Sequence, residues 1–207
     1  MSIVYSHPND SYRRLTDSSS WANARGTVSS SSTAGSSTST TNTFAIYNLY
    51  SGGRGGDLSA ESGTATHTKF RIYVDNLGTA ATNESTIYAV AATALADGHA
   101  DYGNVFSSGT TIGTLYGSGE STTTDGYLTI YFNSAGLSAV NSAIGSGVLT
   151  IGCMGYYDYN NSAPSLGGNY AQIKFTFADY SGTSRDPYLD ITYAAATDNS
   201  VFFGTNF

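Results

Sequence analysis

The stretch from Gly126 to Tyr193 constrains the fold most, because apolar and polar residues alternate in four separate segments of it. Alternate residues of a β-strand lie on the same face, so the apolar residues of all four segments can line one core. The stretch therefore predicts four strands that share a core. Their apolar residues are Leu128, Ile130 and Phe132 in the first, Leu149, Ile151 and Cys153 in the second, Ile173, Phe175 and Phe177 in the third, and Leu189, Ile191 and Tyr193 in the fourth.

A short helix is predicted between the first two of these strands, at about residues 134–144. Leu137, Val140 and Ile144 fall at positions i, i+3 and i+7, a spacing that gives a helix one apolar stripe. Asn133 or the serine after it stands where the N-cap belongs, because a side-chain oxygen there accepts from backbone N–H groups of the first turn.

Further strands are predicted ahead of this stretch. They lie at Thr43–Tyr50, Lys69–Asp75 and Thr86–Leu95, with one short strand at Thr111–Tyr116 inside a long loop region, 97–126. At least seven strands with glycine-rich turns and one helix predict an all-β fold, a single jelly-roll β-sandwich. The clearest alternation puts Phe70, Ile72 and Val74 inward and Lys69, Arg71 and Tyr73 outward.

The length of 207 residues suits one domain. We predict an N-terminal arm at 1–8, the jelly-roll domain at 9–194 and an aromatic C-terminal tail at 195–207. Large apolar side chains at both ends favour contacts with a neighbouring chain, because burying each one stabilises by about 1.5–3 kcal/mol. The predicted assembly contacts are Ile3, Val4, Tyr5, Val201, Phe202, Phe203 and Phe207.

Charge and composition exclude several classes of partner. The net charge of −7, with only eight lysines and arginines, argues against a nucleic-acid partner, because too few cations face the phosphates. The residues after Met1 lack the pattern of a secretory signal, and no apolar run approaches the length of a membrane span. We therefore expect neither nucleic acid nor membrane as a partner.

The motifs of common enzymes are absent from the sequence. No nucleophile elbow, dinucleotide-binding or P-loop pattern occurs, and His7, His67 and His99 show no metal-ligand spacing with one another or with Cys153. Cys153 is the only cysteine and lies on the apolar face of its strand, which predicts a buried thiol. We expect no enzyme, no cofactor and no metal.

One loop, within 156–169, is dense in tyrosine and asparagine. Aromatic rings beside amides suit a sugar-binding surface, because rings stack on C–H faces and amides bond to hydroxyls. An Asx-rich turn whose tyrosines cover the end of the sandwich explains the same residues and is the simpler interpretation. Asp158 and Asn160 alone supply fewer oxygens than the roughly six that calcium needs. The candidate glycan contacts are Tyr156, Tyr157, Asp158, Tyr159, Asn160 and Asn161.

Several motifs together resemble a known family. NSAGLSAVNSAIGSGVLTIG (133–152), YDYNNSAP (157–164) and SGTSRDPYLDITY (181–193) resemble the C-terminal half of DNRLRE-type jelly-roll domains. These are β-sandwiches similar to carbohydrate-binding modules and related to disaggregatase-type domains. DSYRRLTDSSSWANARG (10–26) and TKFRIYVDNLG (68–78) are similar to the opening and a core strand of that family. The D-N-R-L-R-E run that names the family is absent.

The resemblance implies two settings. Some such domains are glycan-binding modules of secreted proteins, and others are capsid decorations, head fibres or tail-associated proteins of tailed phages. With no signal pattern and no catalytic motif, we expect a non-enzymatic virion structural protein with a glycan-adhesion role, located in the virion. Its expected partners are further copies of itself, other virion proteins and a host surface glycan. The alternative is an extracellular glycan-binding module of a carbohydrate-active, adhesin or filament protein.

Overall fold

The described part of the chain is mostly β-strand in antiparallel sheets, which confirms the all-β prediction. A computed structural model describes residues 1–5, 11–16, 28–29, 36–37, 41–50, 58–77, 86–91, 106–107, 111–120, 126–145, 147–160, 171–175 and 184–195. The strands are β1 (Ser2–Tyr5), β2 (Ser11–Thr16), β3 (Val28–Ser29), β4 (Ser36–Ser37), β5 (Thr41–Tyr50), β6 (Ala65–Leu77), β7 (Thr86–Ala91), β8 (Phe106–Ser107), β9 (Thr111–Ile112), β10 (Leu115–Glu120), β11 (Gly126–Tyr131), β12 (Val148–Gly155), β13 (Ala171–Phe175) and β14 (Tyr188–Tyr193). The helices are α1 (Ser134–Ala143) and the single turn α2 (Tyr156–Tyr159).

The described strands form two six-stranded sheets and one small ribbon. Sheet A has the order β1-β14-β6-β13-β4, and β11 also pairs with β6. Sheet B has the order β10-β7-β12-β5-β2-β3, while β8 pairs with β9. Consecutive strands such as β5, β6 and β7 alternate between the sheets, so most pairings join residues far apart in sequence. None of the described helices is long and apolar enough to cross a membrane.

The two sheets enclose one apolar core. The residues predicted to point inward from β6 are fully buried there, and so are alternate residues of the strands on either side. Tyr193 and Phe132 pack against the same cluster while remaining partly exposed. The buried cluster includes Val4, Phe70, Ile72, Val74, Ile87, Ala89, Leu128, Ile130, Leu149, Ile151, Cys153, Leu189 and Ile191.

Strand β6 is the centre of sheet A, because it is paired along both edges. Residues 65–71 of β6 pair with β14, and residues 74–77 pair with β13. Residues 69–74 pair with β11, which must occupy the opposite edge since each residue can pair only once per edge. Outward side chains in the middle of β6 therefore have neighbours from a strand on each side.

Helix α1 follows the predicted pattern and begins at the predicted cap. The Asn133 side-chain oxygen accepts from the backbone N–H groups of Ala135 and Gly136 at 2.9 and 3.0 Å. Val140 is fully buried, and Leu137 and Ile144 pack against the core, which confirms the apolar stripe. The helix leads from β11 of sheet A to β12 of sheet B.

Asn141 attaches this helix to the first residue of β6. Its side-chain oxygen accepts from the Ala65 N–H at 2.8 Å, and its side-chain nitrogen donates to the Ala65 carbonyl at 3.1 Å. The amide thereby satisfies both backbone groups of Ala65 as a neighbouring strand would, and buried backbone groups need such partners. The contact sets the position of α1 relative to sheet A.

The described parts of the region 97–126 contain more strand than predicted, and the one predicted strand, Thr111–Tyr116, falls on β9 and the start of β10. The region contains β8, β9 and β10, and β10 is an edge strand of sheet B rather than part of a loop. The sequence pattern does not indicate the full length of β10 because the strand contains Gly117 and Gly119. Glycine weakens strands and usually marks turns. Here both glycines face β11, where an added Cβ at Gly117 would lie 2.3 Å from the Tyr131 carbonyl oxygen.

Of the assembly contacts predicted at the two ends of the chain, only those at the N-terminal end lie among the described residues. Residues of the predicted N-terminal arm form β1, an edge strand of sheet A that pairs with β14. Val4 is fully buried in this chain's own core, whereas Ile3 is 47% exposed and Tyr5 is half-buried. The predicted contacts of the tail, Val201, Phe202, Phe203 and Phe207, lie outside the described residues.

Candidate ligand-binding face

The tyrosine-rich segment after β12 forms the helical turn α2 at one end of sheet B. The Tyr159 ring stacks on the Tyr88 ring of β7, with centroids 3.9 Å apart and planes 8° apart. The exposed Asn160 closes the turn, because its side-chain nitrogen donates to the Tyr156 carbonyl at 2.8 Å. One face of Tyr159 is thus covered by this chain. Tyr157 and Asp158 belong to the turn, Asn161 lies outside the described residues, and their role as glycan contacts stays a prediction.

A larger group of tyrosines lies on the outer face of sheet A. Because alternate residues of a strand share a face, the residues between the buried ones of β1, β14, β6 and β11 all point away from the core. We call the five tyrosines of this surface the tyrosine face. They are Tyr5 of β1, Tyr188 of β14, Tyr73 of β6, and Tyr127 and Tyr131 of β11.

Strand register brings the tyrosine face together from distant parts of the sequence. Three rows cross the sheet at right angles to the strands, and the first two mix tyrosine with charged or hydroxyl side chains. The first row contains Ile3, Asp190, Lys69 and Tyr131, the second contains Tyr5, Tyr188, Arg71 and Thr129, and the third contains Tyr73 and Tyr127.

The rings contact one another in a continuous chain. Tyr127 lies edge-on to both Tyr73 and Tyr188, with ring centroids 5.3 Å apart in each case. Tyr188 also contacts Tyr5 at 5.7 Å. Such tilted and edge-to-face pairs each contribute about 0.5–1.5 kcal/mol beyond area burial, so the rings hold one another in place. Tyr131 stands apart from this chain of rings and is 66% exposed.

Arg71 lies in the middle of the tyrosine face. Its Nε donates to the Thr129 hydroxyl at 3.2 Å, and its Nη1 donates to the Tyr188 hydroxyl at 3.1 Å. The guanidinium carbon is also 5.9 Å from the centre of the Tyr188 ring. These bonds fix the direction of the guanidinium group with neutral partners, so its charge is held on the surface.

Two further cations border the same tyrosines. The Lys69 ammonium lies 5.7 Å from the centre of the Tyr131 ring and 3.9 Å from the Asp190 carboxylate, which is beyond hydrogen-bond distance. The Arg185 guanidinium lies over the Tyr73 ring at 4.7 Å. Cations this close to ring faces are attracted by the ring quadrupole. The face therefore combines aromatic surface with three positive charges.

Tyr127 anchors the face to the turn before β14. Its hydroxyl lies 3.1 Å from the carbonyl oxygens of both Ser184 and Asp186 and shares its single hydrogen between these two acceptors. Burial, followed by the nearby Tyr188, Tyr5 and Asp186, raises the pKa of Tyr127 to about 12, while Arg71 opposes them. The phenol therefore stays protonated in its role as donor over a wide pH range.

The chain should lose stability at alkaline pH partly through Tyr127. Between the ordinary tyrosine pKa of 10.0 and the folded value of about 12, the folded chain holds a proton that the unfolded chain has released. Stability from this group is therefore fully present below about pH 10 and falls as pH rises towards 12. Tyr127→Phe should cost about 0.5–1.5 kcal/mol at pH 7 and flatten the alkaline decline of Tm, measured by thermal unfolding between pH 7 and 12.

Two comparisons make this test specific. Tyr131→Phe removes an exposed hydroxyl from the same strand and should change stability at pH 7 by less than about 0.5 kcal/mol. Some alkaline decline should persist in Tyr127→Phe, because burial and a hydrogen bond to Glu61 also raise the pKa of Tyr193. An unchanged pH profile in Tyr127→Phe would contradict the prediction.

A second anchor holds β1 against β14 below the tyrosine face. The Glu61 carboxylate accepts from the Ser2 hydroxyl and from the Tyr193 hydroxyl, both at 2.6 Å. Short hydrogen bonds to a charged acceptor are among the stronger ones in proteins. Glu61 thus attaches the first described strand to the last, and with it Tyr5 to Tyr188.

Sequence reasoning identified the outward residues of β6 but not the surface to which they belong. The signal is repeated in the strands YLTIY (127–131) and YLDITY (188–193), where tyrosines occupy outward positions beside buried leucine and isoleucine. Tyr193 is the exception, since it packs against the core. What alternation lacks is the identity of neighbouring strands, and only pairing with β6 brings these residues together.

Other residue types considered as sites occupy ordinary positions. Cys153 is buried, as alternation predicts, and His67 is exposed on β6. Within the ranges that the structure describes, no group of three His, Cys, Asp or Glu residues is arranged to hold a metal ion. No protein-family model matches the chain, and no curated protein matches its sequence.

Proposed function

We propose that this protein is a non-enzymatic adhesion protein that binds a glycan through the tyrosine face of sheet A. In this proposal the domain is a jelly-roll β-sandwich in a tailed-phage virion, on the capsid or the tail. Its other partners are further copies of itself and neighbouring virion proteins, and the glycan is on the host surface.

The proposal is supported above all by a cluster of aromatic and cationic side chains on neighbouring paired strands. Tyr131 exposes 66% of its surface next to Lys69, and Arg71 lies two residues further along β6. A sugar ring needs an apolar face to stack on and polar groups beside it to bond to its hydroxyls, and tyrosine beside arginine provides both. Strands hold such groups more rigidly than loops do.

The jelly-roll topology and the virion setting have separate support. Long-range antiparallel pairing, with β1 next to β14 and consecutive strands divided between two sheets, is typical of double-sheet β folds with Greek-key connections. The virion setting is supported by the resemblance of residues 133–152 and 181–193 to domains found in phages. The same resemblance supports the alternative, a glycan-binding module of a secreted protein.

Neighbouring genes distinguish the two settings. Genes for capsid, portal or tail proteins beside this one are expected for a virion protein. Genes for glycosidases or for export would instead favour the secreted module. Glycan binding by the tyrosine face is common to both, so its test does not depend on the setting.

Glycan binding should be lost when the exposed ring is removed. We expect the purified protein to bind members of a glycan array, and Tyr131→Ala to weaken that binding about tenfold or more, because the variant removes the most exposed ring of the face. Tyr131 is exposed, so this variant should keep its Tm. Titration calorimetry with the best array ligand gives the affinity of each variant.

Two further variants locate the site. Tyr131→Phe keeps the ring and should bind nearly as well as the natural chain. Tyr159→Ala removes a ring of the α2 turn, at the end of sheet B, and should leave the affinity unchanged. Loss of binding in Tyr159→Ala but not in Tyr131→Ala would move the site to α2. Absence of binding to every glycan would reject the proposed function.

A further inference from the structure

We infer that the glycan bound by the tyrosine face is an acidic polysaccharide, and that Arg71 and Lys69 receive the carboxylate groups of its uronic-acid units. This inference rests on the proposed function and adds the chemical class of the ligand. The inference follows from the position of the cationic side chains, since the chain as a whole is acidic.

The tyrosine face holds a large share of the few cations of an acidic chain. The whole protein has a net charge of −7 and only eight lysines and arginines. Three of these cations, Lys69, Arg71 and Arg185, lie among the five tyrosines of one sheet surface. Among the residues that the structure describes, the acidic ones beside these cations are Asp190, whose carboxylate lies 3.9 Å from the Lys69 ammonium, and Asp186. Both are buried, at 7% and 6% exposure. A ligand approaching the surface therefore meets positive charge first, which favours an anion.

Arg71 is held in a geometry that suits a carboxylate. Its two hydrogen bonds to Thr129 and Tyr188 engage two of the five guanidinium N–H groups, and the other three make no hydrogen bond to a residue that the structure describes. Both acceptors are neutral hydroxyls, so neither bond neutralises the guanidinium charge. The planar guanidinium binds a carboxylate through two parallel N–H donors, whereas neutral sugars offer no such pair of acceptors.

Lys69 extends the positive surface along the strand. It is two residues from Arg71 on the same face of β6, so the two Cα atoms are about 6.6 Å apart. Its side chain is 41% exposed, and its 3.9 Å distance from Asp190 leaves the ammonium donors able to bind an anion. Two cations in line, with Tyr131 and Tyr188 beside them, match a polymer that repeats a sugar ring and a carboxylate.

A nucleic acid is the less favourable anion for this face. Single-stranded nucleic acids also stack on aromatic rings, but phosphate binding draws on many cations along the strand, and the whole chain, at −7, has only eight lysines and arginines. A polyuronate carries one carboxylate per sugar and a C–H face for each ring. The face thus favours the polysaccharide.

The test compares polymers that differ in charge. Alginate is the uronic-acid probe, dextran the neutral one, dextran sulfate the sulfated one and a thymidine oligonucleotide the nucleic acid, each titrated into the full chain by calorimetry at low and high salt. We expect alginate to bind best and its affinity to fall as salt rises. Arg71→Gln should weaken alginate binding about tenfold or more.

Control variants distinguish the effect of the planar pair of guanidinium donors from the effect of positive charge alone. Arg71→Lys keeps the charge without the planar fork and should recover only part of the affinity. Arg14→Gln removes one positive charge from β2 of sheet B and should leave alginate binding unchanged. Retained Tm in all three variants would show that they remain folded.

The remaining outcomes would contradict the inference, and they leave the proposed function standing unless glycan binding itself is absent. Binding of dextran but not alginate would overturn the acidic ligand while leaving the glycan-binding function intact. Equal or stronger binding of dextran sulfate or of the oligonucleotide would overturn the carboxylate assignment. Equal losses in Arg14→Gln and Arg71→Gln would show that only net charge matters. No binding to any of these polysaccharides would overturn the inference, whereas the proposed function is rejected only if the glycan array shows no binding either.

Discussion

Replacing Phe70 with alanine is expected to lower the free energy of unfolding by about 3–5 kcal/mol. Phe70 is fully buried in the middle of β6, the strand that both edges of sheet A depend on. Its ring lies 6.5 Å from that of Phe132. Removing it forfeits the transfer free energy of the ring and leaves a cavity that strands paired on both edges cannot collapse to fill.

Urea unfolding followed by far-UV circular dichroism measures this loss as a lower midpoint at unchanged m-value. Phe70→Leu retains most of the apolar volume and should lose less. His67→Ala changes an exposed residue of the same strand and should stay within about 0.5 kcal/mol of the natural chain. If Phe70→Ala unfolded at the same midpoint as His67→Ala, Phe70 would not lie in the core.

The second large effect is expected at Gly117, where sheet B meets sheet A. An alanine Cβ there would lie 2.3 Å from the Tyr131 carbonyl oxygen and 3.0 Å from Ile130. Because the nearer atom is backbone, β10 must move away from β11. That movement would strain the bond from the Asn133 N–H to the Tyr116 carbonyl, which is 2.7 Å long. We expect Gly117→Ala to cost about 1–3 kcal/mol or more.

Ser118→Ala is the matched control for this prediction, because Ser118 is exposed between the two glycines of the same strand. It should change stability by less than about 0.5 kcal/mol. Gly119→Ala should resemble Gly117→Ala, since its Cβ would lie 2.5 Å from the Thr129 carbonyl oxygen. The double variant should cost less than the sum, because one displacement of β10 relieves both contacts. Unchanged stability in Gly117→Ala would mean that β10 and β11 are further apart than the 2.3 Å contact at Gly117 implies.

These two sites also bear on the proposed binding surface. Tyr131 and Thr129 are the β11 residues whose carbonyls face the two glycines, and their side chains belong to the outer face of sheet A. A displaced β11 should therefore disturb the tyrosine face. We expect Gly117→Ala to weaken glycan binding as well as stability, whereas Ser118→Ala should affect neither.

Local pattern in the sequence determined the strand type, the inward faces and helix α1. Phe70, Leu128 and Leu189 point inward because a strand has a period of two, which needs no knowledge of its neighbours. Asn133 caps α1 because the cap depends on residues within one turn. The described parts of β5 and β6 extend the predicted strands by two or more residues, a difference at ends where propensity is weak.

Only tertiary structure decided which strands are neighbours, and therefore which outward residues form a surface. Tyr127 meets Tyr73 across 54 residues of sequence, and Arg71 meets Tyr188 across 117, through a register that no local pattern contains. For the same reason the sequence pattern does not indicate the full length of β10. Glycine at 117 is typical of a turn, and the close approach of β11 that requires it there is visible only in the tertiary structure. Alternation states which side of a strand is apolar, but pairing energies between distant segments select the partner.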